Sequence, residues 1–185
     1  MNIAEPLRTL GPVGADDLIA AVATLTGQDW RAQSMRQDEY EVHRQTESVV
    51  ILFLDASAWP EIIVNREFGW DRISTWVVPV MNETIEQYYP AGGAILRSML
   101  AKLPPGGIIA PHVDKHPSFH ATHRIHVPVK TNPRVRFNID GRPHQLHVGQ
   151  AYELNNQKMH SVMNKGSEDR ITLIFDYLPP SGGLG

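Results

Sequence analysis

From residue 94 onward the chain alternates short apolar stretches with turn residues, and no other feature limits its fold so sharply. The stretches cover 94–103, 107–113, 124–129, 134–139, 144–147, 151–154, 160–163 and 170–177. Between them stand Pro104-Pro105-Gly106-Gly107, Asn132-Pro133, Asp140-Gly141, His147-Val148-Gly149, Asn155-Asn156 and Lys165-Gly166. The stretches have strand length, and each break carries residues that favour turns. Asp140-Gly141 follows Val135-Arg136-Phe137-Asn138-Ile139 directly and suits a two-residue hairpin turn. About eight such strands predict a mainly β fold, an antiparallel double-stranded β-helix or jelly roll.

The first half reads differently. Residues 1–13 contain Pro6, Gly11 and Pro12 and predict an irregular entry. Ala15 to Thr26 is rich in helix formers with Asp16 and Asp17 in its first turn, and Gly27 is expected to stop it. Arg31 to Glu47 is polar and predicts no clear element, whereas Val49 to Leu54 reads as a buried strand. Between Ile73 and Tyr88, Trp76, Val77, Val80, Met81 and Thr84 fall near helical spacing, and Pro79 predicts a late start or a kink. The expected organisation is one domain over 1–185. Residues 1–93 form a helical or mixed support packed on one sheet of a β-helix core at 94–178.

Composition excludes several function classes. The chain has 185 residues, enough for one sizeable core, and no cysteine. Disulfides, thiolate metal sites and cysteine nucleophiles are therefore excluded. A net charge of −3 gives no general attraction to nucleic acid or to an anionic membrane. No apolar run approaches the ~18 residues of a membrane span. Met1-Asn2-Ile3-Ala4-Glu5 lacks the basic-then-apolar order of a signal peptide. The expectation is a cytoplasmic protein with neither nucleic acid nor membrane as partner; the sequence leaves its oligomeric state open.

Leu103 to Asp114 is the stretch with the most chemistry: a Pro/Gly turn feeds a short strand ending in His112-Val113-Asp114. Alternate strand residues share a face, so His112 and Asp114 can offer one imidazole and one carboxylate to the same ion. His160 is the third candidate. Two histidines and a carboxylate with positions left open suit Fe(II). Eight of the nine histidines lie from His112 to His160, so rival combinations exist. His112, His116 and His120 would align on a helix, but Pro111 and Pro117 oppose one. His116 and His120 are expected on a loop over the site mouth. His43, His116, His120, His144 and His147 are read as surface or hydrogen-bonded residues. Two spacings also resemble the paired metal motifs of the cupin superfamily. One is Gly106, five residues, His112-x-Asp114. The other runs Gly149, Asn155, His160, Asn164, with Asn155 where proline is usual.

A second set points to an anion. On a strand over 170–177, Arg170, Thr172, Ile174 and Asp176 share one face, while Ile171, Leu173, Phe175 and Tyr177 form continuous core. Arg124 and His126 share a face of the strand Arg124 to Val129. A guanidinium fork matches a carboxylate, and an inward arginine is costly without an anion. The alternative for Arg170 and for Arg124 is a surface salt bridge. A metal flanked by two carboxylate receivers fits a dicarboxylate co-substrate such as 2-oxoglutarate.

Pro105 to Asp114, Arg124-Ile125-His126, Gly149 to Val162 and Arg170 to Asp176 resemble the aspartyl/asparaginyl β-hydroxylase family of Fe(II)- and 2-oxoglutarate-dependent oxygenases. The likeness is strong over about 94–178 and loose before it. Asp114 supplies a metal-binding carboxylate that the animal peptidyl enzyme lacks, so the chain resembles the bacterial branch. The resemblance implies that His112, Asp114 and His160 ligate iron. It implies that Arg170, assisted by Thr172, binds the distal carboxylate of 2-oxoglutarate. Arg124 and His126 would face the other end of the co-substrate or the substrate. Arg97 and Arg136 are weaker substrate candidates, both expected to face solvent.

The implied reaction couples oxidative decarboxylation of 2-oxoglutarate by dioxygen to hydroxylation of an sp3 carbon. A mouth with His116, His120, His123 and Arg124 is expected to be cationic and to suit a small-molecule or peptide substrate that is anionic or zwitterionic. Family resemblance ranks aspartate, asparagine and proline side chains first. Two alternatives stand beside this: a cupin-type metalloenzyme that does not use 2-oxoglutarate, and a non-catalytic cupin-like binding module. Arg170-x-Thr172 argues against the first, and the complete ligand set argues against the second.

Overall fold

Two antiparallel sheets enclose the inner core in a computed structural model that describes residues 3–32 and 45–180. His43 and most of the polar stretch after Arg31 lie outside the described residues. In chain order the elements are β1 (Leu7–Pro12), α1 (Asp16–Val22), α2 (Gly27–Arg31), β2 (Glu47–Leu54), β3 (Val64–Arg66), α3 (Phe68–Tyr88), β4 (Ala94–Leu103), β5 (Ile108–His112), α4 (Ser118–Ala121), β6 (His123–Lys130), β7 (Val135–Ile139), β8 (Arg142–His144), β9 (Gln150–Leu154), β10 (His160–Asn164) and β11 (Arg170–Leu178). The larger sheet has the order β1-β9-β6-β11-β4-β2-β3, and the smaller β5-β10-β7-β8. This is the expected double-stranded β-helix.

Alternation along the strands of the larger sheet creates its two faces. Val49, Ile51, Leu100, Ile125, Val127, Leu173 and Phe175 point outward and bury against Ile73, Val77, Val80 and Met81 of α3. Gly69 lets α3 sit close on β2, because a Cβ there would lie 2.5 Å from the Val50 carbonyl oxygen. On the opposite side, Leu103, Tyr152 and Leu154 meet Ile109, Phe137, Ile139 and Val162 of the smaller sheet.

Two devices close the roll. Asp140 (φ 51°) and Gly141 (φ 76°) are both left-handed, as the hairpin between β7 and β8 requires. Asn164 is fully buried; its amide donates to the carbonyls of Leu103 (3.0 Å) and Glu168 (2.8 Å) and accepts from Gly166 N–H (3.1 Å). The Asn164 carbonyl also accepts from Gly106 N–H (2.8 Å). The Gly106 and Asn164 ends of the two motifs are thus tied directly to each other.

Several local expectations are corrected. The entry is not irregular: β1 pairs with β9, with a register shift between Thr9 and Gly11. It is an edge strand, where proline and a glycine bulge are tolerated. Gly27 does not stop a long helix but opens α2. Thr26 caps it and forms a capping box with Asp29, a signal that the helix-former count obscured. α3 starts at Phe68 rather than late, and runs through Pro79. Pro79 and Thr75, whose carbonyl loses its helical donor, are both exposed, so water can satisfy that carbonyl. The strand expected at 144–147 lies instead at Arg142–His144. Among the described residues no helix is long and apolar enough to cross a membrane.

Candidate metal centre

The sheet register brings the three donors together. β5 and β10 pair antiparallel with His112 opposite His160, and their ring centroids are 4.3 Å apart. Asp114 lies two residues beyond β5, and one ligand atom from each of His112, Asp114 and His160 falls within 4.8 Å of the others. His112 Nδ1 donates to the Ala110 carbonyl (2.8 Å) and His160 Nδ1 to the Lys158 carbonyl (2.9 Å). Those bonds fix the tautomer that carries the lone pair on Nε2, the form a metal needs. Burial, reinforced by His112 and Arg124 and opposed by Asp114, pulls the His160 pKa down to about 4. His160 is therefore neutral at pH 7.

The Asp114 loop is held from the segment before His160. Asp114 N–H donates to the Asn156 carbonyl (3.1 Å), and Gln157 Nε2 donates to the Asp114 carbonyl (3.0 Å). The side chain of Asp114 meets Arg124, whose Nη1 donates to Oδ2 at 2.5 Å. Nε and Nη2 of Arg124 grip the two oxygens of Asp176 at 2.8 and 2.9 Å. Burial works against the Arg124 charge, but Asp114 and Asp176 overcome it and raise its pKa. Arg97 Nη1 stands 3.6 Å from the same Asp176. Both guanidinium carbons lie 4.4 Å from the Phe119 ring centroid.

Beside the donors is a pocket lined by His112, His160, Arg124, His126, Phe137, Arg170 and Ile174, among others. Arg170 is 5% exposed, and burial pulls its pKa down to about 10. Its guanidinium makes no ion pair or hydrogen bond among the described residues; its nearest marked contact is the Phe137 ring at 5.8 Å. Thr172 Oγ1 and both ring nitrogens of His126 are buried without a hydrogen-bond partner among the described residues. Burial, then the charges of Arg170 and Arg124, hold the His126 pKa well below its usual value. These orphaned groups suit an anion with several oxygens.

Other sequence expectations are redistributed. Arg124 is neither a surface salt bridge nor unpaired; it belongs to a buried network. Arg97 is 4% exposed rather than solvent-facing, while Arg136 is exposed as expected. His123 is not at the mouth: its Nδ1 contacts Glu153 at 2.5 Å, and its ring packs 4.6 Å from Tyr89 in the helix-side core. His116 stays on the loop beside Ser118 (2.8 Å), but His120 sits in the single turn of α4. Sequence reasoning placed Asp176 on the correct face without a role. The missing signal is cross-strand register, which sets Asp176 opposite both Arg124 and Arg97.

A jelly roll in which two histidines and one carboxylate converge beside a buried arginine is a fold with a candidate metal centre. The model of the Aspartyl/Asparaginyl beta-hydroxylase family matches residues 21–180, and the chain belongs to that family. Solved structures share the fold at low identity. A 2OG-Fe(II) oxygenase family oxidoreductase from Burkholderia pseudomallei is 14% identical over 75% of this chain and 70% of its own, with TM-score 0.55. A prolyl-4-hydroxylase from Pseudomonas putida is 13% identical over 96% and 95%, with TM-score 0.52. The non-heme monooxygenase ThoJ, in a nickel complex, is 14% identical over 96% and 75%, with TM-score 0.57. The chain matches none of the curated proteins compared with it.

Proposed function

We propose that the chain uses Fe(II) and 2-oxoglutarate to hydroxylate an sp3 carbon of an amino acid, free or within a peptide. The observation that carries the reading is Arg170, a buried guanidinium with no anionic partner among the described residues, in the same pocket as His112 and His160. Such a charge is costly unless a ligand supplies its partner. A metalloenzyme without a dicarboxylate co-substrate, or a binding module for neutral effectors, has no use for it.

The donor set fits Fe(II): His112 and His160 each offer a ring nitrogen, and Asp114 offers a carboxylate oxygen. When bound, iron and 2-oxoglutarate supply, with dioxygen, the oxidising power for C–H hydroxylation, with succinate and carbon dioxide as co-products. The chain's own work is placement. Arg170 and Thr172 hold the distal carboxylate. His126, neutral and buried, donates one hydrogen bond to the co-substrate without adding charge. Phe137, Ile109 and Val162 keep water from the pocket walls. Selectivity follows from which C–H the mouth brings nearest the metal. The net charge of −3 supports a small-molecule or peptide substrate over nucleic acid.

Anaerobic addition of Fe(II) and 2-oxoglutarate tests the reading. A weak visible charge-transfer band is expected, and it should be missing with Arg170→Ala. Succinate release should rise above background with an aspartate, asparagine or proline substrate. A wild-type protein that gives no band would exclude 2-oxoglutarate chelation.

A further inference from the structure

A carboxylate can serve a metal with one oxygen or with both, and the choice sets how many positions stay open. We propose that Arg124 is a positioning residue that makes Asp114 a one-oxygen ligand. The inference rests on the metal reading above but assigns Arg124 a task separate from holding any co-substrate.

The geometry is specific. Arg124 Nη1 occupies Asp114 Oδ2 at 2.5 Å, which leaves Oδ1 for an ion. The guanidinium cannot follow a rotation of Asp114, because Nε and Nη2 are bonded to both oxygens of Asp176. Asp176 is 0% exposed and lies mid-sheet, opposite Arg124 on β6 and Arg97 on β4. Its anchorage is therefore part of the strand register. Phe119 covers both guanidiniums and keeps water from competing for these bonds. The Asp114 main chain is fixed separately by Asn156 and Gln157. What remains to be set is the side-chain torsion, and Arg124 sets it.

The consequence is chemical. An octahedral ion with three protein atoms keeps three open positions, enough for a two-point chelator and dioxygen. A second Asp114 oxygen would take one of them.

Manganese(II) as the metal alone, read by electron paramagnetic resonance in 17O-enriched water, counts the labile positions. Arg124→Met is expected to show one bound water fewer than wild type, with manganese affinity undiminished. Because Arg124→Met removes the two-point partner of buried Asp176, the pair Arg124→Met/Asp176→Asn is measured as well, with the same expectation. Arg124→Lys, which keeps a cation on Oδ2, should restore the wild-type count. Equal water counts in wild type and in the folded Arg124→Met proteins would overturn the inference while leaving the metal site standing. Failure of the wild type to bind manganese would bring down the metal reading, and this inference with it. A receiver of co-substrate alone would leave the count unchanged, so that outcome also counts against the proposal.

Discussion

Arg170 and Thr172 stand two residues apart on one face of β11, and neither polar group finds a hydrogen-bond partner among the described residues. Native interiors rarely leave such groups unmade, and sites for polar ligands are where they do. The strand carries a marked contrast along that face: at its start a buried cation with no partner among the described residues, and near its end Asp176, paired with Arg124.

Replacing the buried Arg170 should separate stability from function. Arg170→Met keeps the volume and removes a buried charge, so the ligand-free protein should gain roughly 1–3 kcal/mol in urea unfolding. The same variant should lose about 3–5 kcal/mol in 2-oxoglutarate binding, measured by calorimetry on the manganese-loaded protein. A destabilised variant with intact binding would contradict the role of Arg170.

The proposed metal site divides the histidines into ligands and bystanders. His112→Ala and His160→Ala should abolish Fe(II) binding in anaerobic titration. His116→Ala and His120→Ala should change it less than about threefold, because those rings belong to the loop and to α4.

Acid should weaken the metal-free fold in a defined window. His160 has a folded pKa of about 4 against 6.5 when unfolded, so between those values the unfolded chain binds the extra proton. Stability is then full above pH 6.5 and falls as pH drops toward 4. From His160 alone the loss between pH 7 and pH 5 is about 2 kcal/mol, and His126 shifts in the same direction. Urea midpoints across this range should show the slope, and His160→Gln should reduce it, leaving the part that His126 contributes.

Asn164 should matter for folding and not for metal chemistry directly. Asn164→Ala removes the side-chain donor to the Leu103 carbonyl, one of two donors to the Glu168 carbonyl (Asn132 Nδ2 is the other) and the acceptor of the Gly166 N–H. The expected cost is roughly 2–4 kcal/mol in chemical denaturation.

By itself the sequence determined most of the elements after residue 94 and the grouping of the candidate donors. Periodicity and turn residues marked seven of the eight strands expected after residue 94 close to where they lie, and shifted only the one at 144–147. They did so because alternation and left-handed turns are local properties. His112-x-Asp114, His160 and Arg170 were legible for the same reason: their spacing follows from strand geometry. β1 was hidden because its pairing with β9 spans most of the chain, and its proline and glycine content is acceptable only at a sheet edge. The Asp114–Arg124–Asp176 network was also beyond the sequence. Which carboxylate meets which guanidinium depends on the register of β6, β11 and β4, and only the packed sheet fixes that register.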